Sequence, residues 1–198
     1  MGKYIVGITG ASGTVYAKKM IERLLSLGQN VEICLTDTAF EVSETELGWK
    51  IKKDITEEDL QKEFQKIFGC KDQIKAYRAD HIGAAIASGS YSIDGMIILP
   101  CSMGMVSSIA VGASDNLIER AADVMLKEGK KLIIVPREAP LNTIHLKNLY
   151  ELSTYGVKII PACPSFYHNP KDIDELLDYF VGRILNQLEF DDLTFHWK

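Results

Sequence analysis

Short apolar runs alternate along the chain with stretches whose apolar residues have helical spacing. The runs predict five strands, at 4–8, 31–36, 96–99, 132–136 and 157–161. The stretches between them predict helices at about 15–27, 103–112, 116–128, 141–155 and 172–188. Because the strands are apolar throughout and helices separate them, we expect a parallel sheet that is covered on both faces.

This alternation predicts a single α/β domain over residues 1–198, a Rossmann-like (flavodoxin-like) three-layer sandwich with a mainly parallel sheet. Residues 50–75 are the most charged part of the chain and predict a peripheral surface helix and loop. Residues 189–198 form a C-terminal tail in this prediction. Neither an internal repeat nor a low-complexity linker divides the sequence.

Polar or small residues follow the carboxyl ends of the predicted strands. The segments concerned are Thr9–Ser12, Thr36–Thr38, Pro100–Ser102, Pro136–Glu138 and Pro161–Cys163. Ligands bind at this edge in open α/β sheets, although loops are polar in most proteins. The charges of Arg137 and Glu138 directly after a buried strand favour a binding site. The three prolines cannot donate a ladder hydrogen bond, so we expect each to end its strand.

The first of these turns lies in ITGASGTVYA, residues 8–17. Gly7, Gly10 and Gly13 are spaced as GxxGxxG, close to the dinucleotide pattern GxGxxG but different from it. Glycines let backbone N–H groups approach an anion, and a helix N-terminus favours negative charge. Ser12 adds a hydroxyl. The turn alone is as consistent with phosphate binding as with a tight turn that binds nothing. The sequence lacks GxxxxGK[ST], which argues against a nucleoside triphosphatase.

A nicotinamide-dependent oxidoreductase of the short-chain kind is one alternative. Asp37 follows the second strand, where a ribose-binding acid would lie. Tyr167 and Lys171 have Tyr-x-x-x-Lys spacing, which aligns the two side chains only within a helix. Pro170 removes a backbone N–H and disfavours helical geometry at Asn169. We therefore interpret this match as accidental.

Composition narrows the possible functions. The formal net charge of −5 argues against general nucleic-acid binding. The four cysteines form no CxxC pair, and the sequence shows no signal peptide, so we expect free thiols in a cytoplasmic protein. Cys101 could be a nucleophile, but a packed thiol is the better interpretation because no histidine partner is evident. Residues 95–114 carry no charge, yet Pro100 and Gly104 interrupt them, which favours strand, turn and helix over a membrane span.

One charged stretch offers two interpretations. Asn116 can cap a helix, with Glu119 three residues later. Arg120, Asp123 and Lys127 then share one stripe. The stripe is either a solvated face, with an Asp123–Lys127 pair worth about 0.3–0.5 kcal/mol, or a cationic wall for a phosphorylated substrate. The sequence alone favours the solvated face.

Five motifs occur together in one order. They are GITGASG (7–13), PCSMG (100–104), NLIERAADVMLKE (116–128), VPREAPLNTIHLKNL (135–149) and PSFYHNP (164–170). In this order and spacing the chain resembles the UbiX-like flavin prenyltransferases, including the subgroup encoded beside phenolic-acid decarboxylases. The resemblance implies transfer of a dimethylallyl group from dimethylallyl monophosphate to N5 and C6 of reduced FMN, without a metal. It also implies a UbiD-type decarboxylase as recipient of the product, and a homo-oligomer, a dodecamer, with sites shared between subunits.

The resemblance implies roles for individual residues. Those for the flavin are Gly10, Ala11, Ser12, Thr36 (where serine is usual), Ser102, Met103, Gly104, Met105 and Arg137. Those for the prenyl donor are Ser88, Gly89, Ser90, Arg120, Lys127, Arg137, Tyr167 and Arg183. The catalytic roles fall on Glu46, Glu138, Lys127, Tyr167 and Trp197.

The chemistry of the residues agrees with a metal-free prenyl transfer. Asp191–Asp192 lacks the third aspartate of a DDxxD motif, so Lys and Arg would have to stabilise the leaving phosphate. The aromatic faces of Tyr167 and Trp197 can stabilise a cation-like allyl group. A non-catalytic FMN carrier for a decarboxylase is the second hypothesis, and Thr14, Asp37 and Ser165 are departures from the usual family pattern.

Overall fold

The computed structural model describes residues 1–190, and its sheet has six strands. They are β1 (Lys3–Ile8), β2 (Asn30–Leu35), β3 (Ile74–Arg78), β4 (Gly95–Cys101), β5 (Lys131–Pro136) and β6 (Lys158–Ile159). All neighbours pair in parallel, in the order β3-β2-β1-β4-β5-β6. This is the strand order of a doubly wound Rossmann-like sheet, in which the winding reverses between β1 and β4.

Helices cover both faces of the sheet, which confirms the predicted three-layer α/β sandwich. They are α1 (Thr14–Ser26), α2 (Asp37–Leu47), α3 (Glu57–Phe68), α4 (Met103–Ala110), α5 (Leu117–Lys127), α6 (Thr143–Thr154) and α7 (Ile173–Gln187). The first three helices and α7 pack on one face, and α4, α5 and α6 pack on the other. Alternate residues of β1 serve the two layers: Val6 and Ile8 face the first, and Ile5 faces the second.

The sequence analysis missed two elements, β3 and α2. The segment 50–75, expected at the periphery, contains α3 and leads directly into β3. Leu60 and Phe64 of α3 are fully buried, and Trp49 packs edge-on against Phe64 with ring centroids 5.5 Å apart. The high charge of this segment lies on the solvent side of α3, while its apolar residues complete one layer of the core.

One proline behaves differently from the expectation. Pro100 lies inside β4, which continues to Cys101, and the pairing of β4 with β5 shifts register between Ile98 and Cys101. The irregular register accommodates the missing N–H, as bulges do. Pro136 is the last residue of β5, and Pro161 lies beyond the end of β6, as expected.

The uncharged stretch 95–114 forms β4 and α4, as the sequence predicts. Within residues 1–190, every helix is too short or too polar to cross a membrane.

Candidate active site

The turns after β1 and β4 are joined at the point where the winding of the sheet reverses. The Thr9 hydroxyl donates to the carbonyl oxygen of Pro100 at 2.9 Å and accepts from the backbone N–H of Ser102 at 2.8 Å. Arg137 follows β5, and its Nε donates to the carbonyl oxygen of Ser12 at 3.2 Å. The structure therefore brings Ser12, Ser102 and Arg137 to one rim, as the sequence predicts for the carboxyl edge.

A carboxylate of the chain itself occupies the N-terminus of α1. Gly13, the residue before α1, has φ 111° and no capping side chain, because glycine offers none. Glu46, near the end of α2, accepts from the backbone N–H of Gly13 at 3.0 Å and from that of Thr14 at 2.8 Å. The Thr14 hydroxyl donates to the same carboxylate at 2.7 Å. A phosphate at this helix N-terminus would have to displace Glu46, so the glycine-rich turn is not by itself a phosphate site.

This arrangement keeps Glu46 ionised. Burial alone would raise the pKa of Glu46, but hydrogen bonds from Ser12, Gly13 and Thr14 outweigh it and lower the pKa. Glu46 is therefore a hydrogen-bond acceptor with a fixed negative charge beside the first turn. Thr14, a departure from the family pattern, supplies two of these bonds, one from its backbone N–H and one from its hydroxyl.

The turns after β1 and β2 touch through a glycine. A Cβ at Gly10 would lie 2.2 Å from the Oγ1 atom of Thr38, so only glycine allows this approach. The hydroxyl oxygens of Thr36 and Thr38 are 3.2 Å apart, and Thr36 leaves the first turn of α2 without a side-chain cap. The two hydroxyls and the uncapped backbone N–H groups are hydrogen-bond donors that suit a flavin phosphate and ribityl chain, and the glycine allows close approach.

The turn after β4 carries the other residues expected at the flavin. Ser102 caps α4, and its Oγ accepts from the backbone N–H of Met105 at 3.3 Å. Met103 and Met105 are buried, whereas Gly104 is exposed at the rim. Ala11 is buried within the first turn. The implied place of these residues at the edge of the isoalloxazine stays a prediction.

A groove of about 500 Å³ opens beside the first turn. Ser12, Glu46 and Arg137 line its polar side, and Tyr16, Ile173 and Leu177 line its apolar side. A second cavity of about 330 Å³ lies next to it and is lined by Tyr167, Arg183, Cys163, Ser165, Tyr179 and Phe180. Tyr16 of the groove and Phe180 of the second cavity pack against each other with ring centroids 5.0 Å apart, so the two cavities adjoin. Tyr167 and Arg183 are thus brought together, as expected, next to the rim.

Another group of predicted residues lies at the opposite end of the sheet. Lys127 is the last residue of α5, just before β5 begins, and its Nζ is 3.1 Å from Glu128. Ser88–Ser90 lie beside it, since a Cβ at Gly89 would be 2.3 Å from the Oε1 atom of Glu128. One copy of the chain therefore does not bring Lys127 or Ser88–Ser90 to the carboxyl rim.

The charged stripe of α5 differs from the expectation. Asp123 pairs with Arg120, at 2.7 Å, and Lys127 pairs with Glu128, so the expected Asp123–Lys127 pair is wrong. The Asn116 cap is confirmed: its side chain accepts from the backbone N–H groups of Ile118 and Glu119.

The remaining predicted residues vary in placement. Glu138 is exposed at the rim, and its carboxylate accepts from the backbone N–H of Ala139 at 3.0 Å. Trp197 lies outside the described residues. Cys101 is fully buried, and burial raises the pKa of its thiol, so it is a packed thiol rather than a nucleophile. Within residues 1–190 no group of three or more His, Cys, Asp or Glu side chains could hold a metal ion.

The Tyr-x-x-x-Lys match is accidental, as the sequence indicates. Tyr167 and Lys171 lie in a turn ahead of α7, and Asn169 between them has φ 53°. Their side chains do not share one helical face, which a short-chain oxidoreductase requires.

Sequence comparison gives a clear result. The family model described as Flavoprotein matches residues 2–185. The chain is 46% identical over 195 residues to a flavin prenyltransferase UbiX from Halalkalibacterium halodurans, covering 98% of this chain and 92% of that protein.

Two solved structures share the fold over nearly the whole chain. One is a dodecameric FMN-dependent UbiX-like decarboxylase from Escherichia coli O157:H7, with a TM-score of 0.85, 33% identity and 99% coverage of both chains. The other is AnUbiX (PadA1) in complex with FMN and dimethylallyl pyrophosphate. It has a TM-score of 0.85 and 32% identity, and the match covers 100% of this chain and 97% of that one.

Proposed function

The chain belongs to the flavoprotein family and, within it, to the UbiX-like flavin prenyltransferases, and from that premise we propose that it joins a dimethylallyl group to reduced FMN. The bonds form at N5 and C6 of the flavin, and the donor is dimethylallyl monophosphate. Reduced FMN supplies the nucleophilic atoms, and the residues of this chain supply binding, orientation and charge.

The observation that carries the proposal is the pair of adjoining cavities at the carboxyl rim. One has Ser12, Glu46 and Arg137 on its polar side, and the other has Tyr167 and Arg183. A planar ring system at the first and an anionic group at the second would place a five-carbon chain between them, next to apolar surface. This arrangement matches the needs of a reaction in which an allylic C–O bond breaks while a bond to the flavin forms.

The residues of the second cavity would hold the donor phosphate. Arg183 and Tyr167 offer a guanidinium and a hydroxyl, which bind phosphate oxygens and stabilise the charge that grows as the C–O bond breaks. Glu46, held ionised at the N-terminus of α1, places a negative charge on the groove side, where the allyl group becomes positive. Glu138 and Trp197 keep their implied catalytic roles as proposals.

At the flavin, Gly10–Ser12, Thr36, Ser102–Met105 and Arg137 would provide hydroxyls, backbone N–H groups and a cation. The close contact of Gly10 with Thr38 and the uncapped first turn of α2 support this placement.

A second copy of the chain would complete the site. Lys127 and Ser88–Ser90 lie at the amino end of the sheet, so they can reach a donor phosphate only if another copy presents that end. α6 leaves Ile144, Leu146 and Tyr150 exposed, an apolar surface that association would cover. The dodecameric relative supports such an assembly, and we propose that Lys127 and Arg120 line the phosphate site in it.

The decisive experiment uses mass spectrometry of the extracted flavin. The full-length protein is incubated anaerobically with reduced FMN and dimethylallyl monophosphate. We expect a flavin with one added C5 unit and its bonds at N5 and C6 by NMR. With oxidised FMN we expect no addition. Tight FMN binding without any added C5 unit would instead favour the FMN-carrier hypothesis.

Two further arms refine the proposal. Dimethylallyl diphosphate replaces the monophosphate in a parallel reaction, because the related AnUbiX structure holds the pyrophosphate. We expect the monophosphate to react faster. In the second arm, the product is offered to an apo UbiD-type decarboxylase, and recovered decarboxylation identifies the recipient class.

A further inference from the structure

Tyr179 lines the second cavity and carries a hydroxyl, although neither the sequence pattern nor the resemblance singles it out. It lies on α7 four residues before Arg183, so both side chains leave the same helical face. Only 3% of Tyr179 is exposed, whereas Tyr167 is 49% exposed. The hydroxyls of Tyr167 and Tyr179 are hydrogen-bonded to each other.

Within residues 1–190, ring contacts with His168 and Tyr167 hold Tyr179 in this position. Its ring stacks on the ring of His168, with centroids 4.1 Å apart and planes at 22°. The ring of Tyr167 meets it edge-on, with centroids 5.7 Å apart and planes at 86°. A ring held on its face and at its edge cannot swing its hydroxyl away from Tyr167 without losing packing.

The two hydroxyls have different surroundings. Burial and the neighbouring Tyr167 raise the pKa of Tyr179, since a phenolate there would be desolvated. Hydrogen bonds from Tyr179 and Ser165, with the charge of Arg183, lower the pKa of Tyr167. Tyr179 stays protonated, so it is able to donate to the oxygen of Tyr167.

We propose that Tyr179 is a positioning residue for the prenyl donor: its hydroxyl donates to the Tyr167 oxygen and so turns the Tyr167 proton towards the phosphate that Arg183 attracts. A hydroxyl that accepts one hydrogen bond is also a better donor of its own proton. This inference rests on the proposed function, since it assigns the second cavity to the donor phosphate.

The first test is the Tyr179→Phe variant of the full-length assembled protein, supplied with reduced FMN. We expect KM for dimethylallyl monophosphate to rise about three- to tenfold, because one aligned hydrogen bond is lost. The kcat value should change much less, as expected when ground-state and transition-state binding weaken together. The affinity for FMN should not change. Tyr155→Phe, at an exposed tyrosine that directly follows α6, is the matched control and should alter neither constant.

The second test follows the ionisation of Tyr167 directly. Phenolate absorbance is titrated in the wild type and in Tyr167→Phe, and the difference isolates Tyr167. The same difference is measured in the Tyr179→Phe background. We expect the midpoint of Tyr167 to move upward, towards the ordinary value of about 10 for tyrosine.

The two tests separate the inference from the proposed function. If Tyr179→Phe leaves both KM and the Tyr167 midpoint unchanged while prenylated FMN still forms, the inference is wrong and the function stands. A raised KM with an unmoved midpoint makes Tyr179 a packing residue only, which also overturns it. If the wild type forms no prenylated FMN, the function fails, and the titration still decides whether Tyr179 orients Tyr167.

Discussion

Two carboxylates lie at opposite ends of the same sheet, and both accept several hydrogen bonds, but one is buried and the other is exposed. At the amino end, Glu32 is 2% exposed and accepts from the hydroxyls of Tyr77 at 2.6 Å and Tyr91 at 2.7 Å. The Nζ atom of Lys3 lies 3.9 Å from the Oε1 atom of Glu32. Burial and the nearby Glu32 raise the pKa of Tyr77, so that hydroxyl remains a donor.

At the carboxyl end, Glu46 is exposed and takes its hydrogen bonds from the backbone and hydroxyls of the first turn. Its other side borders the groove of about 500 Å³. The comparison teaches that satisfied hydrogen bonds do not distinguish a structural carboxylate from a functional one. Exposure does: Glu32 borders a small cavity of about 200 Å³ but is buried beneath two tyrosine hydroxyls and leaves no face for a ligand, whereas Glu46 is exposed.

The largest effect on activity should come from a substitution at the carboxyl end of the sheet, where Arg183 lines the second cavity. We expect Arg183→Met to lower kcat/KM for prenyl transfer about 100- to 1000-fold, since a cation at the leaving phosphate is lost. The free energy of unfolding should not change, because Arg183 is exposed. Steady-state kinetics and urea unfolding measure the two. A stable variant with unchanged kcat/KM would show that the second cavity does not bind the phosphate.

Lys127→Ala sharpens this test, because Lys127 lies at the amino end. We expect a similar loss of prenyl transfer and unchanged FMN affinity. Co-assembly of Lys127→Ala with Arg183→Met should restore part of the activity if each site draws on two copies. No restoration in mixed assemblies would place all of the phosphate contacts within one copy. Lost FMN affinity in Lys127→Ala would contradict the phosphate assignment.

Substitution of the buried Glu32, at the amino end of the sheet, should lower stability and leave activity unchanged. We expect Glu32→Gln to lower the free energy of unfolding by about 2 kcal/mol, because a buried acceptor of two tyrosine hydroxyls is impaired. The kcat/KM of the folded protein should not change. Glu44→Gln, an exposed substitution on α2, is the control. A stable Glu32→Gln protein with impaired prenyl transfer would show that Glu32 has a functional rather than a structural role.

The pH dependence of the stability of Glu46→Gln tests whether the carboxylate at the first turn is charged. The folded pKa of Glu46 is lowered, so its carboxylate stabilises the fold above the unfolded pKa of about 4.3 and loses this effect as pH falls through the folded pKa. We expect the wild type to be more stable than Glu46→Gln by about 1 kcal/mol at neutral pH. The difference should shrink below about pH 4. A difference independent of pH would argue against an ionised cap.

The smallest effect is expected at Thr36, where the family usually has serine. Thr36→Ser keeps the hydroxyl and removes one methyl group at a partly exposed position. We expect the Kd for FMN to change less than about twofold, as for most surface substitutions. Thr45→Ser is the control. A tenfold change, measured by fluorescence quenching, would show that the methyl group shapes the flavin site.

Most of the fold was predictable because its signals are local. The apolar runs of β1, β2, β4 and β5 and the amphipathic spacing of α1 and α5 are each read from consecutive residues. The missed strand β3 is short, and its neighbours in the sequence are highly charged. Only its pairing with β2 makes it a strand.

The site was predictable in part. Ser12, Ser102 and Arg137 meet because the carboxyl ends of parallel strands share one edge, a rule of topology that needs no coordinates. Lys127 shows the limit of this reasoning, since a residue implied at the phosphate lies at the other end of its own chain.

By itself, the sequence determined the layered α/β fold and the edge at which polar residues collect, because hydrophobic periodicity acts between near neighbours. Only the tertiary structure decided which groups meet there. Glu46 reaches Gly13 across 33 residues, and Tyr179 reaches Tyr167 from a different element. These contacts depend on how the helices pack against the sheet. Helix packing brings side chains that are distant in the sequence within hydrogen-bonding distance, and no local sequence pattern relates them.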